Sequence, residues 1–133
     1  MTKKSKKILT EISAGELLDK ISILEIKIEK IKNKTKLEEI KKEHKVLKEV
    51  KKLNVEYTKD IQILFDEIKK VNLSLWDIED KIRINEKNKD FGKGFVELAR
   101  SVYINNDKRA KIKSKINELL GSNIREIKEY AEY

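Results

Sequence analysis

The sequence predicts an all-α protein, folded as an antiparallel bundle of four to six helices that begins with a long helical hairpin. Two observations support this prediction. The 133 residues include no proline and only four glycines, so few positions force the backbone to break. Apolar residues recur at alternating steps of three and four, which is the period of a helix. We expect one helical domain over residues 13–133, preceded by a basic, flexible segment over residues 1–12.

The first two predicted helices form the hairpin. Residues 13–16 have the capping-box pattern that satisfies free amides at a helix start, and residues 35–38 repeat it after an interruption at Asn33 and Lys34. The first apolar stripe contains Leu17, Ile21, Leu24, Ile28 and Ile31. The second contains Leu37, Ile40, His44 and Leu47, which favours a core role for the histidine over a catalytic one.

The second half of the chain predicts the remaining helices. A long third helix is expected from about Thr58 to residues 85–90, and Gly92 and Gly94 mark a turn. A fourth helix over residues 95–104 is expected to break at residues 105–107, and a further helix ends at Leu120 with Gly121 as its C-cap. Residues 122–123 are expected to start a short last helix. A long coiled-coil dimer is the alternative, but the fourth helix lacks a narrow apolar seam.

Composition excludes several classes of site. The absence of cysteine excludes disulfides, thiolate zinc sites and a cysteine nucleophile, and a single histidine argues against a histidine-rich metal centre. We therefore expect no cofactor and no metal. No apolar run approaches the roughly 20 residues of a membrane span, so we expect a cytoplasmic protein without a membrane partner.

The positive charge is concentrated in the first half of the chain. Residues 1–60 carry 17 basic and 11 acidic side chains, whereas residues 61–133 carry 15 and 13, within a net charge of +8. A basic surface of this kind can bind nucleic acid. However, the lysines alternate with glutamates and no aromatic side chain lies among them, so nucleic-acid binding is not the favoured interpretation.

Arginine is rare in this lysine-rich chain, and its four positions are informative. All four lie in the second half, at Arg83, Arg100, Arg109 and Arg125. Arginine is preferred over lysine where a planar donor fork must match a carboxylate or phosphate. Two lysine-free windows lie nearby, at residues 71–80 and 94–107. Because the second window is apolar on most sides of a helix, we expect neighbouring helices to enclose it.

These residues predict an anion site between the third and fourth helices. Arg83, Arg100 and Arg109 would hold the anion, and the sole tryptophan, Trp76, would line the site. Acidic partners that orient the ligand or act as acid–base groups would be Asp77, Glu79 and Glu97. The alternative is an internal ion-pair network that fixes helix register, with Trp76 as ordinary core.

The functional hypothesis is therefore a helical module that binds a small phosphate- or carboxylate-bearing ligand. No catalytic residue is assigned, and an enzyme with this inventory would rely on acid–base or electrostatic catalysis. The first alternative is a scaffold protein whose stripes pair with another helical chain, including a homodimer. The second alternative is non-specific nucleic-acid binding through the basic N-terminal half.

Several strings of the sequence resemble an uncharacterised family of small helical bacterial and phage proteins, catalogued as a domain of unknown function. The resemblance extends from about Ile12 to Tyr130, and its most specific strings are Leu75–Asp80 and Glu97–Tyr103. Other matching strings are Glu16–Ile21, Ile82–Arg83, Asn106–Asp107, Arg109–Ala110, Ile116–Asn117 and Leu119–Ser122. The resemblance implies a helical fold, and it carries no established activity.

Overall fold

The computed structural model describes residues 6–133 and confirms the all-α prediction. Over those residues the regular structure is four α-helices, with no strand. They are α1 (Ala14–Lys30), α2 (Lys34–Asn54), α3 (Lys59–Lys87) and α4 (Lys93–Leu120). The first part of the predicted basic segment, including Lys3 and Lys4, lies outside the described residues, and residues 6–12 are irregular. None of these four helices has an apolar stretch long enough to cross a membrane.

Polar caps begin three of the helices, as the local sequence requires. The Ser13 hydroxyl accepts from the Glu16 amide at 3.1 Å, and the Thr58 hydroxyl accepts from the Ile61 amide at 3.3 Å. At α2 the cap is Asn33, whose side-chain oxygen accepts from the Lys36 amide at 3.0 Å. The predicted capping box at residues 35–38 is therefore wrong, because Asn33 supplies the same acceptor two residues earlier.

Two further boundary predictions for the C-terminal half are wrong. The expected break at residues 105–107 is absent, and α4 continues through it for 28 residues. Within α4, the Asn105 side-chain amide donates to the Ser101 carbonyl one turn earlier, at 2.8 Å. This hydrogen bond allows asparagine, a residue of low helix propensity, to lie inside the helix. After Leu120, Gly121 adopts the predicted left-handed C-cap conformation at φ 62°, but no helix follows Ser122.

The core lies where α1 meets the N-terminal half of α3 and the C-terminal half of α4. α1 packs against all three other helices, and α4 runs antiparallel to α3. The buried apolar cluster joins Leu17, Leu18, Ile21, Ile61, Leu64, Phe65, Ile68, Ile112 and Ile116. α2 packs chiefly on α1, contributes no fully buried residue, and completes the predicted N-terminal hairpin.

The other halves of α3 and α4 extend beyond this core as a two-helix hairpin. Between residues 73 and 111 no side chain of the described structure is fully buried, and Val96 and Tyr103 are exposed. The prediction that neighbouring helices enclose residues 94–107 is therefore wrong. The reason is length, because α1 has 17 residues and cannot cover helices of 28 and 29 residues.

Residues 121–133 form an irregular C-terminal segment that returns alongside α4. The Ser122 hydroxyl accepts from the Ala14 amide at 2.9 Å, and Glu126 accepts from Lys113 at 2.9 Å. At the end of the chain the Tyr133 hydroxyl donates to Asp107, and its ring packs edge-on against Tyr103. The segment therefore connects the start of α1 to the middle of α4.

Candidate functional site

A buried carboxylate lies where α1, α3 and α4 meet. Asp19 is completely buried, and Asn72 of α3 donates to its Oδ1 at 2.8 Å. The Arg109 guanidinium of α4 binds both carboxylate oxygens, with Nε 2.9 Å from Oδ1 and Nη2 bonded to Oδ2. Such a two-point contact fixes the plane of the guanidinium as well as its position. Ser22 completes the cluster by accepting from the Asn72 amide at 2.8 Å.

Lys113 extends this polar cluster toward the C-terminal segment. Its ammonium donates to Glu16 at 2.6 Å and to Glu126 at 2.9 Å, and lies 3.7 Å from the Asp19 carboxylate. The side chain is only 10% exposed, so its charge requires these partners. One chain of contacts therefore joins the C-terminal segment, through Lys113 and Asp19, to Arg109.

The network shifts the pKa values of Arg109, Lys113 and Glu126 in the directions that keep these three groups charged. The hydrogen bond from Arg109 to Asp19 raises the pKa of Arg109. Burial lowers the pKa of Lys113, but its hydrogen bonds to Glu16 and Glu126 outweigh burial and leave that pKa raised. The hydrogen bond from Lys113 lowers the pKa of Glu126. These groups stay ionised at neutral pH.

A groove of about 370 Å³ opens beside this network, between α1 and the start of the projecting hairpin. Both apolar and polar side chains line it. The apolar lining residues are Ile23, Ile26, Leu75 and Trp76, and the polar ones are Asn72, Glu79, Asp80, Arg83 and Arg109. The volume lies within the roughly 300–1,000 Å³ of pockets that bind small molecules.

The two arginines of the groove are held differently. Arg109 is anchored from behind by buried Asp19 and leaves 29% of its side chain exposed. Arg83 is 78% exposed and is paired with Glu79 one turn earlier on α3 at 3.3 Å. An exposed pair of this kind contributes little stability and exchanges partners easily. The groove therefore presents one fixed and one adjustable guanidinium.

The predicted site residues divide into two groups. Four of them, Trp76, Glu79, Arg83 and Arg109, line the same groove. The other three, Asp77, Glu97 and Arg100, are exposed and do not line it. Asp77 follows Trp76 by 100° around α3, and Arg100 lies on the outer side of α4 beside Tyr103. The site is thus bounded by α1 as well as by α3 and α4, whereas only the last two were predicted.

The residues that organise the network were missed from sequence, although a signal for them exists. The apolar stripe of α1 that begins at Leu17 leaves out a second buried row, which contains Leu18, Ser22 and Ile26. Asp19 lies beside that row on the helical wheel, so a carboxylate at the edge of a second buried face was visible in the sequence. Its partners Asn72 and Lys113 are far away in sequence and gave no local signal.

Two further predictions from the sequence concern His44 and metal binding. His44 is half-buried on α2, with its Nε2 3.7 Å from the Glu25 carboxylate of α1 and no hydrogen-bond partner. It lies away from the groove. Across residues 6–133 no three side chains of the histidine, aspartate or glutamate type come together as a metal-ligand group.

Comparison with known proteins identifies the family of the chain. Neither the curated proteins nor the solved structures give a match. A family of unknown function (DUF6165) does match, and its sequence model covers residues 8–132, which is nearly the entire chain and includes every residue of the groove. The protein therefore belongs to the DUF6165 family.

Proposed function

We propose that the groove binds a small ligand that combines an anionic group with an apolar body. The observation that carries the proposal is the position of Arg109, whose guanidinium is oriented by a buried carboxylate and also lines a groove. Orientation before binding reduces the entropy lost when a ligand is bound. Two of the five guanidinium N–H groups are used by Asp19, which leaves donors for a phosphate or carboxylate.

The rest of the groove narrows the ligand class. The Trp76 ring and the side chains of Ile23 and Leu75 provide an apolar surface for a flat or aliphatic body. Glu79 and Asp80 are acceptors and favour a ligand that also carries hydroxyl or ammonium groups. Arg83 would leave Glu79 and turn toward the anion. Binding is the function proposed here, and no reaction is assigned.

The experiment compares two arginines of the same helical hairpin. Phenyl phosphate is titrated into the protein by calorimetry, with benzyl alcohol as the uncharged control. Arg83→Ala removes one guanidinium from the groove, and Arg100→Ala removes one outside it. We expect Arg83→Ala to weaken phenyl phosphate binding by about tenfold, equivalent to one charge-assisted hydrogen bond of roughly 1.5 kcal/mol. We expect Arg100→Ala to leave binding unchanged.

Arg109 requires a more conservative substitution, because removing the Arg109 side chain leaves the buried Asp19 without its main partner. Arg109→Lys keeps the positive charge against Asp19 but removes the planar donor fork. We expect this variant to fold and to bind phenyl phosphate more weakly. Equal binding by the wild type, Arg83→Ala and Arg109→Lys would show that the groove is not the anion site.

A second candidate function, self-association, is supported by the projecting half of α3 and α4. An isolated pair of helices buries little apolar surface, and here Phe95, Leu98 and Val102 stay partly exposed on the side that continues the α1 contact. Oppositely charged neighbours, Glu79 with Arg83, lie on the same side. A second copy related by a two-fold axis would pair such charges and complete a four-helix bundle.

Sedimentation at several protein concentrations tests this second candidate. Phe95→Asp places a charge on the side of α4 that continues the α1 contact. Val96→Asp places a charge on an adjacent side of α4 that is already exposed. A dimer formed through this face is lost in Phe95→Asp and kept in Val96→Asp. A wild-type protein that sediments as a monomer up to about 100 μM would contradict the candidate, since interfaces worth more than roughly 6 kcal/mol would associate at that concentration.

A further inference from the structure

A row of lysines runs along one side of α2, and none of these lysines forms an ion pair within the described residues. Its members are Lys34, Lys41, Lys45, Lys48 and Lys52, which we call the lysine row. Their spacing of seven, four, three and four residues places them within a sector of about 60° on a helix. All five are exposed, and none forms a salt bridge within the described residues.

The packing of α2 keeps this row accessible. The side of α2 that faces α1 contains Leu37, His44 and Leu47, which are only partly buried. The middle of that side lies about 90° around the helix axis from the middle of the lysine row. α2 approaches no other helix closely along its length. Five of its eight lysines lie in the row, and two of its four glutamates, Glu39 and Glu43, lie on the far side of the helix. The other two, Glu38 and Glu49, lie along one edge of the row, so the strip carries five positive charges bordered on that edge by two negative ones.

We propose that the lysine row is a docking surface for the phosphate backbone of double-stranded nucleic acid. The row is about 27 Å long at 1.5 Å per residue. That length spans about eight base-pair steps along the axis of a duplex, at 3.4 Å of axial rise each. Lysine is a point charge that neutralises phosphates without reading bases. No aromatic side chain lies in the row, so the stacking platform of a single-strand binder is missing from it.

An anionic membrane is the competing partner, and the apolar residues of α2 disfavour it. Helices that bind the membrane interface insert an apolar face between their flanking lysines. In α2 the apolar stripe packs against α1, and the exposed Val46 and Leu53 lie more than about 100° away from the centre of the row. Contact through the row would therefore bring charge, but no apolar surface, to the partner.

The test mixes the full chain with a 20-base-pair DNA duplex or with an RNA duplex of the same sequence. Binding is measured by the fluorescence anisotropy of the duplex at salt concentrations from 50 to 200 mM. Five phosphate contacts predict that log K falls with log salt at a slope of about −4.5. The variant Lys41→Gln/Lys45→Gln/Lys48→Gln is expected to reduce that slope to about −2 and the affinity at low salt by about tenfold or more. Binding of either duplex with this dependence supports the proposal.

The control variant, Lys70→Gln/Lys111→Gln/Lys115→Gln, removes the same charge from exposed positions on α3 and α4 that form no salt bridge. It is expected to keep the wild-type salt slope. Three results would each overturn the proposal. They are no binding of either duplex at 50 mM salt, an equal loss in the two triple variants, and lysine-row-dependent binding to phosphatidylglycerol vesicles without binding to duplexes.

Discussion

At the scale of single residues, Gly15 determines how closely α1 approaches α4. A Cβ atom at this position would lie 2.6 Å from the Lys113 carbonyl oxygen, which is backbone and cannot move aside easily. The Gly15 amide also donates to the Asn117 side chain at 2.7 Å, and this bond fixes the depth of the contact. The close approach brings Asp19 within reach of Arg109 and Lys113.

The first prediction follows from this contact. Gly15→Ala should lower the free energy of unfolding by about 2 kcal/mol, because overpacking forces the two backbones apart. Gly94→Ala, at a helical glycine with nothing within 4 Å of its Cβ position, should stabilise the protein by about 0.5 kcal/mol. Urea unfolding of both variants measures the difference. A Gly15→Ala protein as stable as wild type would mean that α1 and α4 are not in close contact.

The second prediction concerns the buried ion pair. Arg109→Ala should cost about 3 kcal/mol of unfolding free energy, because Asp19 is then left buried without its two-point partner. Arg100→Ala removes an exposed arginine and should change stability by less than about 0.5 kcal/mol. Thermal and urea unfolding check both values. Similar losses in the two variants would contradict the described role of Asp19.

The third prediction is a pH dependence at Glu126. Its pKa is lowered in the folded state by Lys113, so its contribution to stability is present above its ordinary pKa, near 4.5, and is lost as the pH falls through the lowered value. Glu126→Gln should therefore lower the melting temperature at pH 7 and have a smaller effect at about pH 3. The effect should stay below about 1 kcal/mol, because the side chain is 45% exposed. An equal difference at both pH values would contradict it.

At the scale of helices, the sequence predicted what depends on local pattern. The Ser13 cap, the start of α3 near Thr58, the stripe of α1 that begins at Leu17 and the Gly121 terminus were all predicted, since each depends on residues within one or two turns. The break expected at residues 105–107 was wrong because asparagine and aspartate are compatible with a helix interior when packing and side-chain hydrogen bonds support them.

For the candidate site, too, the positions that depend on local pattern could be predicted and those that depend on tertiary packing could not. Trp76, Glu79 and Arg83 lie within two turns of α3, so their common face could be predicted. Placing Arg109 beside them, and Arg100 away from them, depends on how far α1 extends along α3 and α4. That is a tertiary property with no local signature. Likewise, the Asp19 contact with Arg109 joins residues 90 positions apart, and no spacing rule predicts it.

At the scale of the whole molecule, the fold separates a compact end from a projecting end. The compact end contains the apolar core and the start of α1, and the C-terminal segment is fastened there through Ser122 and Glu126. The projecting end is the outer half of α3 and α4. The groove lies where the two meet, and the lysine row lies on α2. Anion binding in the groove and phosphate binding on α2 are therefore physically separate and can be tested separately.

Fluorescence of the sole tryptophan measures the central claim most directly, because Trp76 lines the groove itself. Phenyl phosphate should change Trp76 emission with a saturable dependence on concentration, and benzyl alcohol should produce a much weaker change. Arg83→Ala should shift the titration to higher concentration, and Arg100→Ala should not. Unchanged emission with phenyl phosphate, or identical titrations of the two variants, would contradict anion binding in the groove.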